Sequence, residues 1–330
     1  MKELLELVLS GDLLSVGEAR ELMLSMLAEP IDPLRTAEIL TALRHRGVAV
    51  NELDGFSQAL MTLAIPLEIG AADAIDVCGT GGDGRGTFNI STCAAFVLAA
   101  AGHKVVKHGN KAVSSSCGSS DVLEALGVSP ERNPEALRQA LHERNICFLH
   151  APLFHPALQA VAPIRRELKV RTVFNMLGPL INPANPGVQV NGVYDREVLR
   201  LYGELLSRRG KRFAALCSQD GYDEVTLTSP VDLVTAQGGR ELSVDDFGCR
   251  RVEPGELQGG TSVNEAAEIV RAVLRGKGTD VQQEVVAANA GLAMWIKDAT
   301  GTLRGHVSTA KEIISSGAAY EVLEKSVGQV

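Results

Sequence analysis

The chain has 330 residues, 45% of them hydrophobic, and a formal net charge of −8. That length buries a large core and points to two domains rather than one. An acidic chain with 4% aromatics excludes non-specific nucleic-acid binding through basic surface, and no run approaches the roughly 18 apolar residues of a membrane span.

The N-terminus, MKELLELVLSGDLLS, carries Glu3, Glu6 and Asp12. A signal peptide has a basic start and an uninterrupted apolar run, so none is expected. Residues 1–70 read as helices. Ser15-Val-Gly-Glu18 has capping-box spacing, and Leu22, Met23, Met26 and Leu27 follow at helical intervals. Asp32-Pro33 pairs a cap with proline at the first helical position, and that helix should end at Gly47. Asn51 opens a third, which Pro66 stops.

From residue 74 the pattern alternates. AIDVC (74–78), KVVKH (104–108), ICFLH (146–150) and RFAALCS (212–218) read as strands, with helical stretches such as 91–102 and 133–144 between them. Strand–helix alternation predicts an α/β fold with a mostly parallel sheet. GPLINPANPG (178–187) is a loop, residues 225–260 read as short β segments and loops, and helices return at 262–276 and 279–298. Cys78, Cys93, Cys117, Cys147, Cys217 and Cys249 form no C-x-x-C pair. Zinc is not expected, and reduced thiols in the cytoplasm are the simplest account.

The run GTGGDGRGTFNIST (79–92) follows a strand and opens a helix. Glycines let several backbone N–H groups converge on one anion, and the helix start adds its positive dipole end. Asn89, Ser91 and Thr92 supply short polar side chains there. The plainer alternative is a glycine-rich turn with an Asn or Ser cap. The run matches neither a Walker A loop, since no GK[ST] follows, nor the Rossmann fingerprint.

Charge placement favours the phosphate reading. Forty acids in the chain would put about 4.5 in a 37-residue window, yet residues 84–120 hold none. That window carries Arg85, Lys104, Lys107, Lys111, His103 and His108. VKHGNKAVSSSCGSS (106–120) is too polar for core and reads as a second anion-binding loop. There Lys107 supplies charge, and Gly109, Ser114, Ser115, Gly118 and Ser119 supply donors. Asp223-Glu224 is the best pair to hold a Mg²⁺ ion bridging to phosphates. Taken alone, such a pair is commonly just a solvated loop.

GTGGDGRGTFNIST, KHGNKAVSS, GSSDVLEALG, HPALQAVAPIRRELKVRTVFNMLGPLINPA and GYDEVTL resemble the motifs of the anthranilate phosphoribosyltransferase family, in order and spacing along the whole chain. The resemblance implies a small N-terminal helical domain over 1–70, joined by a return segment near 160–190. It also implies a larger α/β domain over 71–330, of the nucleoside phosphorylase/phosphoribosyltransferase type. The implied reaction joins anthranilate to 5-phosphoribosyl-1-pyrophosphate in tryptophan biosynthesis, releasing pyrophosphate, in a Mg²⁺-dependent, cytoplasmic homodimer.

Carried over by position, Gly79, Gly82, Asp83, Thr87, Asn89, Ile90, Ser91 and Thr92 would line the phosphoribosyl pyrophosphate site. Lys107, His108, Gly109, Asn110, Lys111, Ala112, Val113, Ser114, Ser115 and Ser119 would continue it. Ser91, Asp223 and Glu224 would ligate Mg²⁺; Gly79, Asn110 and Arg165 would contact anthranilate. Lys107, His108 and Arg165 are the expected catalytic set. An arginine can grip an aromatic carboxylate through two parallel hydrogen bonds; by itself, RREL reads as a solvated helix face. Lys111 stands where the family usually has Arg, and Ser116 where Lys is frequent; Cys117 and Ser120 replace Ser and Ala of many relatives. Two alternatives remain. A pyrimidine nucleoside phosphorylase resembles this family but usually reads KHSTGG at the first phosphate motif. A non-catalytic nucleic-acid-binding relative would carry basic surface.

Overall fold

The computed structural model describes residues 2–111, 117–298 and 300–328. It divides into two compact units, residues 1–67 with 151–183, and residues 68–150 with 184–330.

The chain begins in the first unit with four helices, α1 (Lys2–Ser10), α2 (Val16–Leu27), α3 (Pro33–Arg46) and α4 (Val50–Leu63). Ser15 caps α2 in a full capping box with Glu18, and Asp32 caps α3, which stops at Gly47 with φ 82°. Helix α4 departs from the expected start. It opens at Val50, because Glu52 rather than Asn51 closes the end by accepting from the Ala49 amide at 2.8 Å. The same fully buried carboxylate takes the Leu14 amide at 3.1 Å and both terminal nitrogens of Arg46. Burying a charge is tolerable only with this degree of satisfaction.

The second unit starts with β1 (Ile75–Gly79), α5 (Ile90–Ala100), β2 (Val105–Gly109), α6 (Ser119–Ala125), α7 (Pro134–Glu143) and β3 (Ile146–His150). The chain then returns to the first unit as α8 (Ala151–Phe154), α9 (Ala157–Leu168) and α10 (Val173–Leu177). The return segment therefore starts directly after β3, earlier than 160. Its buried His155 reaches the Ile181 carbonyl at 2.8 Å.

Back in the second unit come β4 (Val188–Gly192), α11 (Arg196–Arg208), β5 (Arg212–Ser218), β6 (Val231–Thr235), β7 (Gly238–Leu242), α12 (Val263–Leu274), α13 (Asp280–Asp298), α14 (Leu303–Ser316) and α15 (Ala318–Ser326). The seven strands form one sheet in the order β3-β2-β1-β4-β5-β6-β7. The first five run parallel, and the β5–β6 and β6–β7 pairings are antiparallel, so the sheet is mostly parallel, with β1 paired to β2 and β4.

Helices α5 and α13 pack on each other and on the sheet, burying Ile75, Val77, Val188, Val190, Ala214 and Leu216. Ile90, Phe96, Val97 and Leu98 of α5 are fully buried, worth roughly 1.5–3 kcal/mol each in removal from water. This packing fixes the start of α5 beside the carboxyl ends of β1, β2 and β4, where ligands gather in open parallel sheets. Among the described residues, no helix is long and apolar enough to cross a membrane.

Candidate active site

The glycine-rich run leaves β1 and turns through Gly81, Gly82, Gly84 and Gly86, which take φ values of 66°, 77°, 74° and 65°. A side chain at any of them would be strained. Gly79 is required for a different reason. A Cβ there would strike the Asp223 carboxylate, and a Cβ at Gly192 would strike the Asp223 carbonyl. The two glycines let the 223–224 segment lie directly on the ends of β1 and β4. The Gly81 amide donates to Asp223 Oδ2 at 2.7 Å, and the Thr80 amide to the Gly192 carbonyl at 2.9 Å.

Behind the run, Phe88 donates to the Leu257 carbonyl at 3.0 Å and Gly259 to the Gly86 carbonyl at 2.9 Å. The run then enters α5 at Asn89, which makes no side-chain capping bond. The Ile90 amide instead bonds the Phe88 carbonyl at 2.7 Å, so the start of α5 offers an anion its positive dipole end rather than free first amides. Ser91 N–H donates to Glu224 Oε1 at 3.3 Å.

Lys107, on β2, is buried. Its Nζ donates to the Val77 carbonyl at 2.5 Å and to Ser91 Oγ at 3.2 Å. His108 is also buried and donates its amide to Asp76 Oδ1 at 3.3 Å. Beyond it, Ser119 Oγ lies against Gly109, and the Ser120 amide bonds the Asn110 carbonyl at 3.2 Å. Ala112, Val113, Ser114, Ser115 and Ser116 lie outside the described residues. Lys111 pairs with Glu124 at 3.0 Å on the surface.

Asp83, Asp223 and Glu224 lie close enough for their charges to act on one another. Burial pushes Asp223 well above the usual carboxylate range, reinforced by the charges of Glu224 and Asp83. Burial raises Glu224 to about 7, against the opposing pull of Lys107 and the Ser91 hydrogen bonds. Crowded, desolvated acids of this kind call for a cation. Asp83 Oδ2, Thr80 Oγ1 and Thr92 Oγ1 are buried without a hydrogen-bond partner among the described residues, and such orphans need a missing ligand or water. No preformed group of three His, Cys, Asp or Glu ligands was found among the described residues. Mg²⁺ needs none, since it binds through one or two carboxylates, waters and substrate phosphates. Asp223, Glu224 and the Ser91 hydroxyl fit that donor chemistry.

Arg165 belongs to the first unit, on α9. Burial lowers its pKa, and its guanidinium lies 5.2 Å over the Phe174 ring. It makes no ion pair with a carboxylate among the described residues, so a desolvated guanidinium is left without an anion. That is not the behaviour of a solvated helix face.

The model of the glycosyl transferase family α/β domain matches residues 71–320, and that of its helical bundle domain residues 2–64. An anthranilate phosphoribosyltransferase of Cytophaga hutchinsonii is 45% identical over 327 residues, covering 99% of this chain and 100% of that relative. One of Bacteroides fragilis is 40% identical over 99% of both. The chain belongs to the anthranilate phosphoribosyltransferase family. The crystal structure of the Thermus thermophilus family member superposes with a TM-score of 0.92 at 39% identity, over 98% of each chain. The Saccharomyces cerevisiae member in complex with PRPP and Mg superposes with a TM-score of 0.86 at 26% identity, over 94% of this chain and 91% of that one.

Among the family's expected site positions, Gly79, Gly82, Asp83, Thr87, Asn89, Ile90, Ser91, Thr92, Lys107, His108, Gly109, Asn110, Lys111, Ser119, Asp223 and Glu224 all lie in the second unit. Three features of this family member escaped the sequence. Asn289 of α13 accepts from the Val225 amide at 3.1 Å and donates to the Val225 carbonyl at 2.7 Å, fixing the residue after Glu224. Gly192 makes room for Asp223. Arg85 faces protein rather than an open anion site, bonding the Asp220 carbonyl and covering the Tyr222 ring. Only Arg85, in a window swept of acids, carried a signal.

Proposed function

We propose that the chain transfers the phosphoribosyl group of 5-phosphoribosyl-1-pyrophosphate to the amine of anthranilate, giving N-(5-phosphoribosyl)anthranilate and pyrophosphate for tryptophan biosynthesis. The observation that carries this reading is the convergence of the glycine turn, Lys107 and the Asp223–Glu224 pair at the ends of β1, β2 and β4. Pyrophosphate leaves readily only when its charge is offset. Lys107 and the positive dipole end of α5 offer that positive potential at fixed positions, strongest in effect as the bond to the anomeric carbon breaks. Mg²⁺ held by Ser91, Asp223 and Glu224 would add further charge to the leaving group. His108 follows Lys107 on β2.

By its family position Arg165 would grip the anthranilate carboxylate. An aromatic amine is already neutral near pH 7, so the site needs no strong general base; orientation of the amine supplies much of the remaining acceleration. The protein is read as a cytoplasmic homodimer.

Incubation with anthranilate, phosphoribosyl pyrophosphate and Mg²⁺ should extinguish anthranilate fluorescence, and omission of any component should prevent it. Persistent fluorescence in the complete mixture sinks the reading. Phosphorolysis of thymidine in a parallel sample would instead support the nucleoside phosphorylase alternative.

A further inference from the structure

Arg85 is the one cation inside the glycine turn. Its guanidinium donates to the Asp220 carbonyl and lies 4.9 Å from the centroid of the Tyr222 ring. Both are fixed points. Tyr222 is buried in the core of the second unit, and the Asp220 carboxylate is held by Thr228 at 2.6 Å and Ser229 at 2.8 Å. Gly221 between them takes φ 90°, which a side chain there would strain.

On the other side, the Arg85 amide donates to Asp83 Oδ1 at 3.0 Å. The turn bearing Asp83 and Arg85 contains four glycines of positive φ and pivots easily. The Gly81 amide bonds Asp223 Oδ2 at 2.7 Å, so the turn is fastened to the 220–224 segment at Gly81, and Arg85 supplies a second fastening on the far side of Asp83.

We propose that Arg85 is a positioning residue whose grip on Asp220 and Tyr222 holds the glycine turn, with Asp83, beside the Asp223–Glu224 pair, so that the carboxylates of that pair stand ready for a divalent cation. The tether rests on the proposed function only in taking those carboxylates as the metal site. It differs from a direct contact between Arg85 and substrate phosphate in two ways. It acts before any phosphate is present, and it needs a planar group to lie on the tyrosine. Lysine provides charge but no such plane.

The test uses the full chain and Mn²⁺ as probe, with the free-ion signal read by electron paramagnetic resonance and no phosphoribosyl pyrophosphate present. Arg85→Ala should raise the Mn²⁺ dissociation constant about tenfold, the scale of losing one exposed cation–π contact and one charged hydrogen bond. Arg85→Lys should fall much nearer to Arg85→Ala than to the parent. In turnover, the apparent Mg²⁺ constant should rise about as much, while kcat at saturating Mg²⁺ drops by no more than about half. Because Arg85 is exposed, both variants should keep the parent's circular dichroism. Mn²⁺ affinity within twofold of the parent in Arg85→Ala, or full rescue by lysine, overturns the tether. A parent chain that binds Mn²⁺ but leaves anthranilate unconverted removes the proposed function instead and leaves the tether standing.

Discussion

Asn289 is the strongest test of how the Asp223–Glu224 segment is held. The amide of this buried residue makes three hydrogen bonds, to Val225 N, Val225 O and Val285 O, at 3.1, 2.7 and 2.8 Å. Asn289→Ala leaves both polar groups of the Val225 peptide unpaired beside a side chain with 0% exposure. Each unsatisfied buried group costs about 1–3 kcal/mol. A water entering the space left by the amide recovers part of that, so the expected loss is about 3 kcal/mol. For a unit of this size that lowers the melting temperature by roughly 6–12 °C. The same change frees the residue next to Glu224, so the Mg²⁺ requirement for turnover should rise. Differential scanning calorimetry and Mg²⁺ titration of activity read the two effects. Asn289→Asp should retain the bond from the Val225 amide and lose those donated to the carbonyls. A melting temperature within 1 °C of the parent for Asn289→Ala would show that Val225 finds other partners and that the clamp does not exist.

Four other substitutions test the remaining parts. Lys107→Met should lower kcat by about 10²–10³, the scale of removing one preorganised charge donor from a developing anion; steady-state rates within threefold of the parent would take Lys107 out of the leaving-group site. Gly192→Ala forces a methyl onto the Asp223 carbonyl, so the Mg²⁺ dependence should deteriorate even where folding survives; an unaltered Mg²⁺ titration would contradict the close packing. Arg165→Lys should raise the KM for anthranilate at least about tenfold through loss of the forked donor pair, with little change in the KM for phosphoribosyl pyrophosphate; equal effects on both would indicate a structural role. Glu52→Ala strands the buried Arg46 guanidinium and two amides, and should cost the helical unit about 3–5 kcal/mol; urea unfolding that shows under 1 kcal/mol would refute the account of that staple.

The parts of this molecule legible in the sequence are those whose cause is local. Capping at Ser15 and Asp32, the stop at Gly47, and the strands that end at Gly79, Gly109 and His150 each follow from neighbouring residues. Strand β4 does not. Gln189 and Asn191 interrupt its apolar pattern, and it is a strand because β1 and β5 flank it and complete its hydrogen bonds. Tertiary context overrides propensity in such a position. The site shows the same division. Its glycines and its lack of acids stand out in one dimension, because a loop that approaches phosphate must shed both side chains and negative charge. What the glycines are for is not local. Gly81, Gly82, Gly84 and Gly86 serve the turn itself, whereas Gly79 and Gly192 serve Asp223, which lies far along the chain from both. Arg85 makes the point most sharply. Composition marks it as a cation offered to an anion, yet its guanidinium is already engaged by Asp220 and Tyr222. The free positive charge at this site is therefore smaller than a residue count implies. On the proposed reading, Lys107 and the dipole end of α5 carry most of it, and the Asp223–Glu224 pair would need to be in place for its cation before pyrophosphate leaves.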